Sequence, residues 1–324
     1  MNPSGFKRIY GPVLSRRLGR SLGVDLVPYK TCSYDCIYCQ LGKTTEKTRL
    51  RQEYVATGLV LEELCEKLTW KEKIDFITLA GSGEPTLNSG IGNLIHEIKK
   101  MTNIPVAVLT NGSLLWIPDV QDTLMEADVV LPSLDAGDAM LFEYVNRPCE
   151  DLVFEQVIDG IADFTKSFPG EVWLEVLLLA GVTGVQAEVN KIAELAKRIG
   201  PARTHLNTVC RPPSEDFAFV LTGDQLSPLR NSFGGRVEVI MEEYAREVAV
   251  DRAAKTRVGD ILALLSRRPC TSSEVASGLG IHATEVMKYM EHLTDTGKLR
   301  RMPSAGRYFY ALSHPGKVDG KGKT

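Results

Sequence analysis

The chain has 324 residues, 24% charged and 44% hydrophobic, with a formal net charge of −3. At about 150 residues per domain that length predicts two units with ample material for a core. Seven cysteines are odd in number and too few for a disulfide scaffold, which excludes a stapled secreted domain. The first twenty residues lack the apolar run of a signal peptide. The most apolar stretch, 176–182, falls far short of the roughly 18 residues of a membrane helix. The expectation is a cytoplasmic protein without a membrane partner.

The near-neutral total conceals an asymmetry. Residues 1–51 sum to +7, residues 52–255 to −15 and residues 256–324 to +5. Two basic ends around an acidic body suit a polyanion such as RNA, whose phosphates dominate binding.

In chain order, an apolar segment at 22–26 is followed by a buried strand at 74–80 and a helix over 88–101, with Ile91, Leu94, Ile95 and Ile98 on one face. A strand at 104–110, a helix over 117–127 with Pro118 in its first turn, and a strand at 128–133 come next. Helices near 137–145 and 151–167 precede a strand at 172–179. A helix over 185–198 precedes a strand at 204–210, and 236–241 reads as an edge strand. Six or seven strands alternating with helices imply a parallel α/β sheet, either doubly wound or barrel-like.

A charged helical connector spans 242–255, and a different rhythm follows. Residues 257–266 carry an apolar face. Thr271 and Glu274 have capping-box spacing, and 282–296 forms a third helix. Strands at 298–301 and 307–312 complete a unit over 256–312 that resembles a winged helix-turn-helix domain, and 313–324 reads as a disordered tail. The candidate recognition helix sets Lys288 against Glu285, Glu291 and Asp295, whereas Lys298, Arg300, Arg301 and Arg307 make the wing basic. RNA or backbone contact is therefore expected ahead of sequence-specific DNA reading, with protein or peptide binding as the alternative.

Cys32, Cys36 and Cys39 lie in TCSYDCIYCQ. Three soft thiolates on one short loop can converge on zinc or on an iron–sulfur cluster. Three ligands leave one coordination position open, as a site that binds substrate at the metal requires. Structural thiols, or a zinc site completed by Cys149, are the alternatives.

Polar motifs fall where strands end, the place at which open sheets and barrels bind ligands. Gly81, Ser82, Gly83 and Glu84 follow the 74–80 strand. Thr110 and Asn111 end the next one, and Ser133 and Asp135 the one after that. Small residues in the first motif allow close backbone approach, with carbonyls free to accept from an ammonium group. Arg16 and Arg17, Arg147, Asn207 and Arg211 are polar groups aimed at a substrate. Cys65, Cys149, Cys210 and Cys270 are single residues without an assigned role.

The C-x3-C-x2-C loop with Tyr38 before its last cysteine resembles the cluster loop of the radical S-adenosylmethionine (SAM) superfamily, and GSGEP resembles that superfamily's GGEP motif. The run YGPVLSRRLGRSLGVDLVPYKTCSYDCIYCQLG, with GSGEPTLN, PSLDA, NRP and LNTVCRPP, is similar to an Fe–S oxidoreductase branch related to the tRNA wyosine-synthesis enzymes. The resemblance spans 10–240 and implies a partial (β/α)6 TIM-type barrel over 1–241. It further implies a [4Fe–4S] cluster on Cys32, Cys36 and Cys39, with SAM on its fourth iron. Contacts to SAM would come from Tyr38, residues 81–84, Thr110, Asn111, Ser133 and Asp135. It implies reductive cleavage of SAM to a 5′-deoxyadenosyl radical, with ferredoxin or flavodoxin as electron donor. Archaeal wyosine-forming enzymes carry a second cluster on upstream cysteines, and here no cysteine precedes Cys32. The resemblance thus supplies the cofactors but not the substrate, for which tRNA or another macromolecule is the expectation. The alternative is an iron–sulfur or SAM-responsive regulator that binds DNA through the C-terminal unit.

Overall fold

The computed structural model describes residues 8–240, 258–304 and 306–313. The predicted connector 242–255 and the tail beyond residue 313 lie outside them. Strands β1 (Ile9–Ser15) and β2 (Gly19–Val24) form an antiparallel hairpin. Two-residue strands β3 (Thr31–Cys32) and β4 (Glu46–Lys47) pair apart from the main sheet, and α1 (Thr57–Leu68) follows. The chain then alternates through β5 (Phe76–Leu79), α2 (Ile91–Met101), β6 (Val106–Thr110), α3 (Pro118–Leu124) and β7 (Val129–Pro132). Next come α4 (Ala139–Val145), α5 (Phe154–Ser167), β8 (Glu171–Leu178), α6 (Gln186–Ile199), β9 (Arg203–Thr208), α7 (Gly223–Leu229) and β10 (Val237–Val239).

The sheet order is β1-β2-β5-β6-β7-β8-β9-β10, parallel from β2 onward. Neighbours in space are neighbours in the chain, so the sheet winds in one direction, as a partial (β/α)6 barrel does, rather than reversing as a doubly wound sheet does. Six strands, β2 and β5 to β9, are each followed by a helix. The β1 edge is antiparallel and the β10 edge parallel.

Strand periodicity divides the two faces. Val106 and Val108 pack with helix residues such as Ile95, Ile98, Ile158 and Ile161 in the main core, whereas Ala107 and Leu109 join Leu18, Phe76, Leu131 and Trp173 on the other face. No helix residue among the described residues enters that second cluster. The face without helices is therefore the one left for a ligand. Helix stripes at i, i+3, i+4 and i+7 account for the covered face: Ile91, Leu94, Ile95 and Ile98 of α2 are 0–1% exposed. Each such burial contributes about 1.5–3 kcal/mol. Gly200, at φ 68°, ends α6 in the left-handed conformation that glycine adopts without strain.

The remaining elements are α8 (Val258–Arg267), α9 (Ser272–Leu279), α10 (Ala283–Asp295), β11 (Leu299–Ser304) and β12 (Arg307–Leu312). Ile261, Leu264, Val275, Val286, Met290 and Leu299 form a core of their own. The expected box opens α9: the Thr271 hydroxyl accepts from Glu274 N at 3.2 Å, and Glu274 Oε2 accepts from Thr271 N at 2.8 Å. Helices α8 and α9 lie against β1, with Tyr10 and Val13 packed on the second core. Strand β1 was not expected, because Gly11 and Pro12 interrupt its alternation. Among the described residues no helix is long and apolar enough to cross a membrane.

Candidate cofactor site

The loop that begins at β3 carries Cys32, Cys36 and Cys39, all partly buried and none in a disulfide. Its path is fixed by the chain that leaves α4. Asp35 N donates to Asn146 O (3.0 Å), Ile37 N to Val145 O (3.0 Å) and Cys149 N to Ser33 O (2.9 Å). Ile37 then buries beneath the ends of β8 and β9 with Leu179 and Ala218.

Each sulfur meets a side-chain N–H donor from a different part of the chain. Lys30 Nζ donates to Cys39 Sγ at 3.2 Å, and Asn111 Nδ2 to Cys32 Sγ and Asn146 Nδ2 to Cys36 Sγ at 3.5 Å each. Lys30 is only 3% exposed, so a cation is buried beside the thiols. Burial, reinforced by the Glu84 charge, pushes the Cys32 thiol up to about 12. Burial together with the charges of Cys39, Cys32 and Asp135 holds the Cys36 thiol well above its usual range. Bound irons would reverse both shifts, because a coordinating thiol is deprotonated outright. In a cubane cluster each thiolate takes its own iron. The donor set, one thiol per iron with an N–H on every sulfur, fits a cluster.

Gly81 and Gly83 sit at the end of β5. A Cβ on Gly83 would lie 1.8 Å from Thr31 O, and Gly81 has φ +137°, so neither position accepts a side chain without rebuilding the loop. The Gly81 and Gly83 carbonyls receive no hydrogen bond among the described residues, and both residues are partly exposed. Between them, Ser82 is fixed: Asp25 accepts from Ser82 N at 2.9 Å and from its hydroxyl, while Ser82 O accepts from Lys30 N at 2.6 Å.

Several predicted ligands turn inward. Glu84 is 1% exposed; its carboxylate accepts from Thr86 N (3.0 Å), the Thr86 and Thr110 hydroxyls and Asn111 N (2.7 Å). Burial still raises its pKa. Glu84 and Thr110 therefore join the ends of β5 and β6 instead of offering side chains to a ligand. Asp135 is also buried. It accepts from the Tyr38 hydroxyl, from Asn146 Nδ2 (3.0 Å) and from Leu177 N (3.0 Å), so it secures the cysteine loop to β8. The Ser133 hydroxyl is partly exposed and has no partner among the described residues.

The predicted substrate residues separate. On the face without helices, Glu175 Oε2 pairs with Arg17 Nη1 (2.8 Å) and accepts from Asn207 Nδ2 (2.8 Å), while Glu175 Oε1 meets His205 Nδ1 (2.7 Å). Arg16 is exposed and donates to Cys210 Sγ at 3.2 Å. Arg147 pairs with Glu215 at 2.6 Å. Arg211 overturns its expectation as a substrate residue. It is 6% exposed, donates Nε to Pro269 O (3.1 Å) and pairs with Glu274, so it docks the C-terminal elements. Asn146, expected with Arg147 to face a substrate, instead turns to Cys36 and Asp135. Lys30, Glu175 and His205 were missed; for Glu175 and His205 the readable signal was a charged or imidazole residue inside an apolar strand, as in VWLEVLLL.

A family model described as "Radical SAM superfamily" matches residues 26–196, and one described as "FaeA-like protein" matches 257–307. Over 308 residues the chain is 36% identical to a "GTPase Obg" of Brachyspira hyodysenteriae, covering 95% of this chain but only 45% of that protein. A UPF0026 protein of Methanocaldococcus jannaschii is 33% identical over 319 residues, 93% of this chain and 94% of its own. A "Probable dual-specificity RNA methyltransferase RlmN" of Thermotoga petrophila is 27% identical over 52% of this chain and 49% of its own. Among solved structures, a radical SAM methyltransferase from Sphaerobacter thermophilus superposes with TM-score 0.51 at 15% identity, over 68% of this chain and 65% of that one, a likeness of fold.

Proposed function

The chain belongs to the radical SAM superfamily and is an enzyme of that class, and from this premise we propose that Cys32, Cys36 and Cys39 hold a [4Fe–4S] cluster whose open iron takes SAM. The observation that carries the reading is the set of three N–H groups, on Lys30, Asn111 and Asn146, one to each sulfur. The cluster would supply the electron that cleaves SAM to methionine and a 5′-deoxyadenosyl radical, drawn from a donor such as ferredoxin or flavodoxin. The partnerless carbonyls of Gly81 and Gly83 receive the SAM ammonium, and the free Ser133 hydroxyl meets its ribose or carboxylate. Glu84 and Asp135 act as positioning residues that hold the strand ends and Tyr38 in register.

Substrate enters over the face without helices, where the partly exposed Arg17 and Glu175, braced by buried His205 and Asn207, form a polar network beside Trp173 and Leu131. RNA is the substrate class we favour. Its support is the RNA methyltransferase name of the Thermotoga petrophila relative and the basic β11–β12 hairpin, read as the wing of a winged helix. A DNA-binding sensor would not need the polar cluster on the open face, and one that senses iron or redox state alone would not need the free carbonyls either, so the regulator reading is set aside.

The test is anaerobic reconstitution with iron and sulfide, then dithionite and SAM. The wild-type chain should release 5′-deoxyadenosine, and a triple Cys→Ala variant should bind no iron and release none. A variant that kept both would sink the cluster assignment. Nucleoside mass spectrometry of RNA before and after turnover reads the substrate class separately.

A further inference from the structure

The C-terminal elements do more than cover β1. A cleft of about 120 Å³ runs between the hairpin and end of α8 on one side and the segment 40–42, directly after Cys39, on the other. A cavity of that size holds more than a single water and has room for one compact polyatomic ion. Among the described residues three arginines line it, Arg267, Arg268 and Arg300, and no Asp or Glu does. Arg267 is matched by Asp25 at 3.2 Å. Arg268 and Arg300 form no ion pair among the described residues. Arg268 does sense Glu274, but that carboxylate is already held by Arg211.

The remaining polar side chains sharpen the chemistry. Gln40 Oε1 accepts from Arg211 Nη1 at 3.3 Å, which leaves the Gln40 NH2 as a donor without an acceptor among the described residues. The Tyr29 hydroxyl donates to Leu41 O at 2.7 Å, and the Ser266 hydroxyl donates to Ala263 O. The Arg268 guanidinium also bonds the Cys270 thiol. The groups of the cleft that face no carboxylate of their own among the described residues are therefore two guanidinium forks and an amide NH2, all donors. In a chain of net charge −3 this is a local positive site.

We propose that this cleft is a phosphate-binding site, held by Arg268 of the α8 end and Arg300 of β11 across from Gln40. Two forks arriving from different elements suit a tetrahedral anion, which offers oxygens in several directions; one carboxylate edge satisfies a single fork. The phosphate is either a free or nucleotide phosphate, or a phosphodiester of an RNA strand. It lies against the residues that follow Cys39, outside the polar cluster around Glu175. The inference uses no step of the proposed chemistry and stands or falls on binding alone.

The full-length protein is titrated at constant ionic strength with sodium phosphate, sodium acetate and a short oligouridylate, following heat of binding. Phosphate should bind and acetate should not. Arg268→Gln and Arg300→Gln should each weaken phosphate at least tenfold, while Arg307→Gln, on the same hairpin and not in the cleft, should leave it unchanged. Arg300 and Arg307 are exposed strand residues, so these substitutions do not threaten folding. If oligouridylate also binds and loses affinity in the same two variants, the phosphate is that of a strand. If only phosphate does so, it is a small ligand. Phosphate affinity unchanged in both variants, or matched by acetate, overturns the proposal.

Discussion

Arg267, the last residue of α8, forms an ion pair at 3.2 Å with Asp25, which directly follows β2, and the same carboxylate holds the N–H and hydroxyl of Ser82. The C-terminal elements thereby touch the loop whose free carbonyls are assigned to SAM. Asp25 is 7% exposed, and burial raises its pKa in spite of the Arg267 charge. Removing the guanidinium leaves a buried carboxylate with less to stabilise it, and the 81–83 loop relaxes with it. Arg267→Met should weaken SAM binding about tenfold, or ~1.4 kcal/mol, while iron content stays at the wild-type level. Equilibrium dialysis of SAM on reconstituted protein reads this directly. Equal affinity in the two proteins would mean the C-terminal elements do not act on the loop.

Lys30 tests the surroundings of the sulfurs. A buried ammonium 3.2 Å from Cys39 Sγ stabilises the more negative, reduced state of a cluster. Lys30→Met removes the charge and the hydrogen bond with little change in volume. The midpoint potential should fall by on the order of 60 mV, one tenfold step for a one-electron couple. Electron paramagnetic resonance during a redox titration measures it, with iron content as the control for assembly.

Glu84 carries a structural prediction. Four donors converge on its two oxygens, and they join the ends of β5 and β6. Glu84→Gln turns one acceptor into a donor facing another donor. The expected loss is about 1–3 kcal/mol, seen as a lower urea midpoint with an unchanged slope. An unshifted midpoint would show that these bonds are replaced by water.

The Arg211–Glu274 contact should give an acid-labile docking. Burial alone would raise the Glu274 pKa, but the Arg211 and Arg268 charges outweigh it and hold the group below its ordinary value. A folded-state pKa below the unfolded one, about 4.3, contributes stability that is present above that pH. The contribution is lost as pH falls through the lowered folded value. Hydrogen exchange in α9 should therefore speed up as pH drops below about 4, after correction for intrinsic rates, and Glu274→Gln should remove that dependence. Identical profiles for the two proteins would contradict the assignment.

The sequence determined whatever rests on local spacing. Helix stripes such as Ile91, Leu94, Ile95 and Ile98, apolar strands ended by glycine, the Thr271–Glu274 box and the three-cysteine loop each lie within about a dozen residues of chain. Alternation of strand and helix narrowed the fold to two parallel-sheet types, and the motif resemblance pointed to one. Strand order was decided only by tertiary pairing, since both types share the same local pattern. The fate of polar side chains was decided there too. Glu274 was legible as a cap, but its second oxygen faces Arg211, 63 residues away, and no periodicity encodes that. Lys30 beside Cys39, Asn146 beside Cys36 and Glu175 beside His205 follow from loop crossings and strand register in the same way. A buried polar group must find a partner, and which one it finds depends on which segments meet. The cysteines announced a metal-binding chemistry; the donors around them, and the arginine cleft beside them, exist only once the chain has folded.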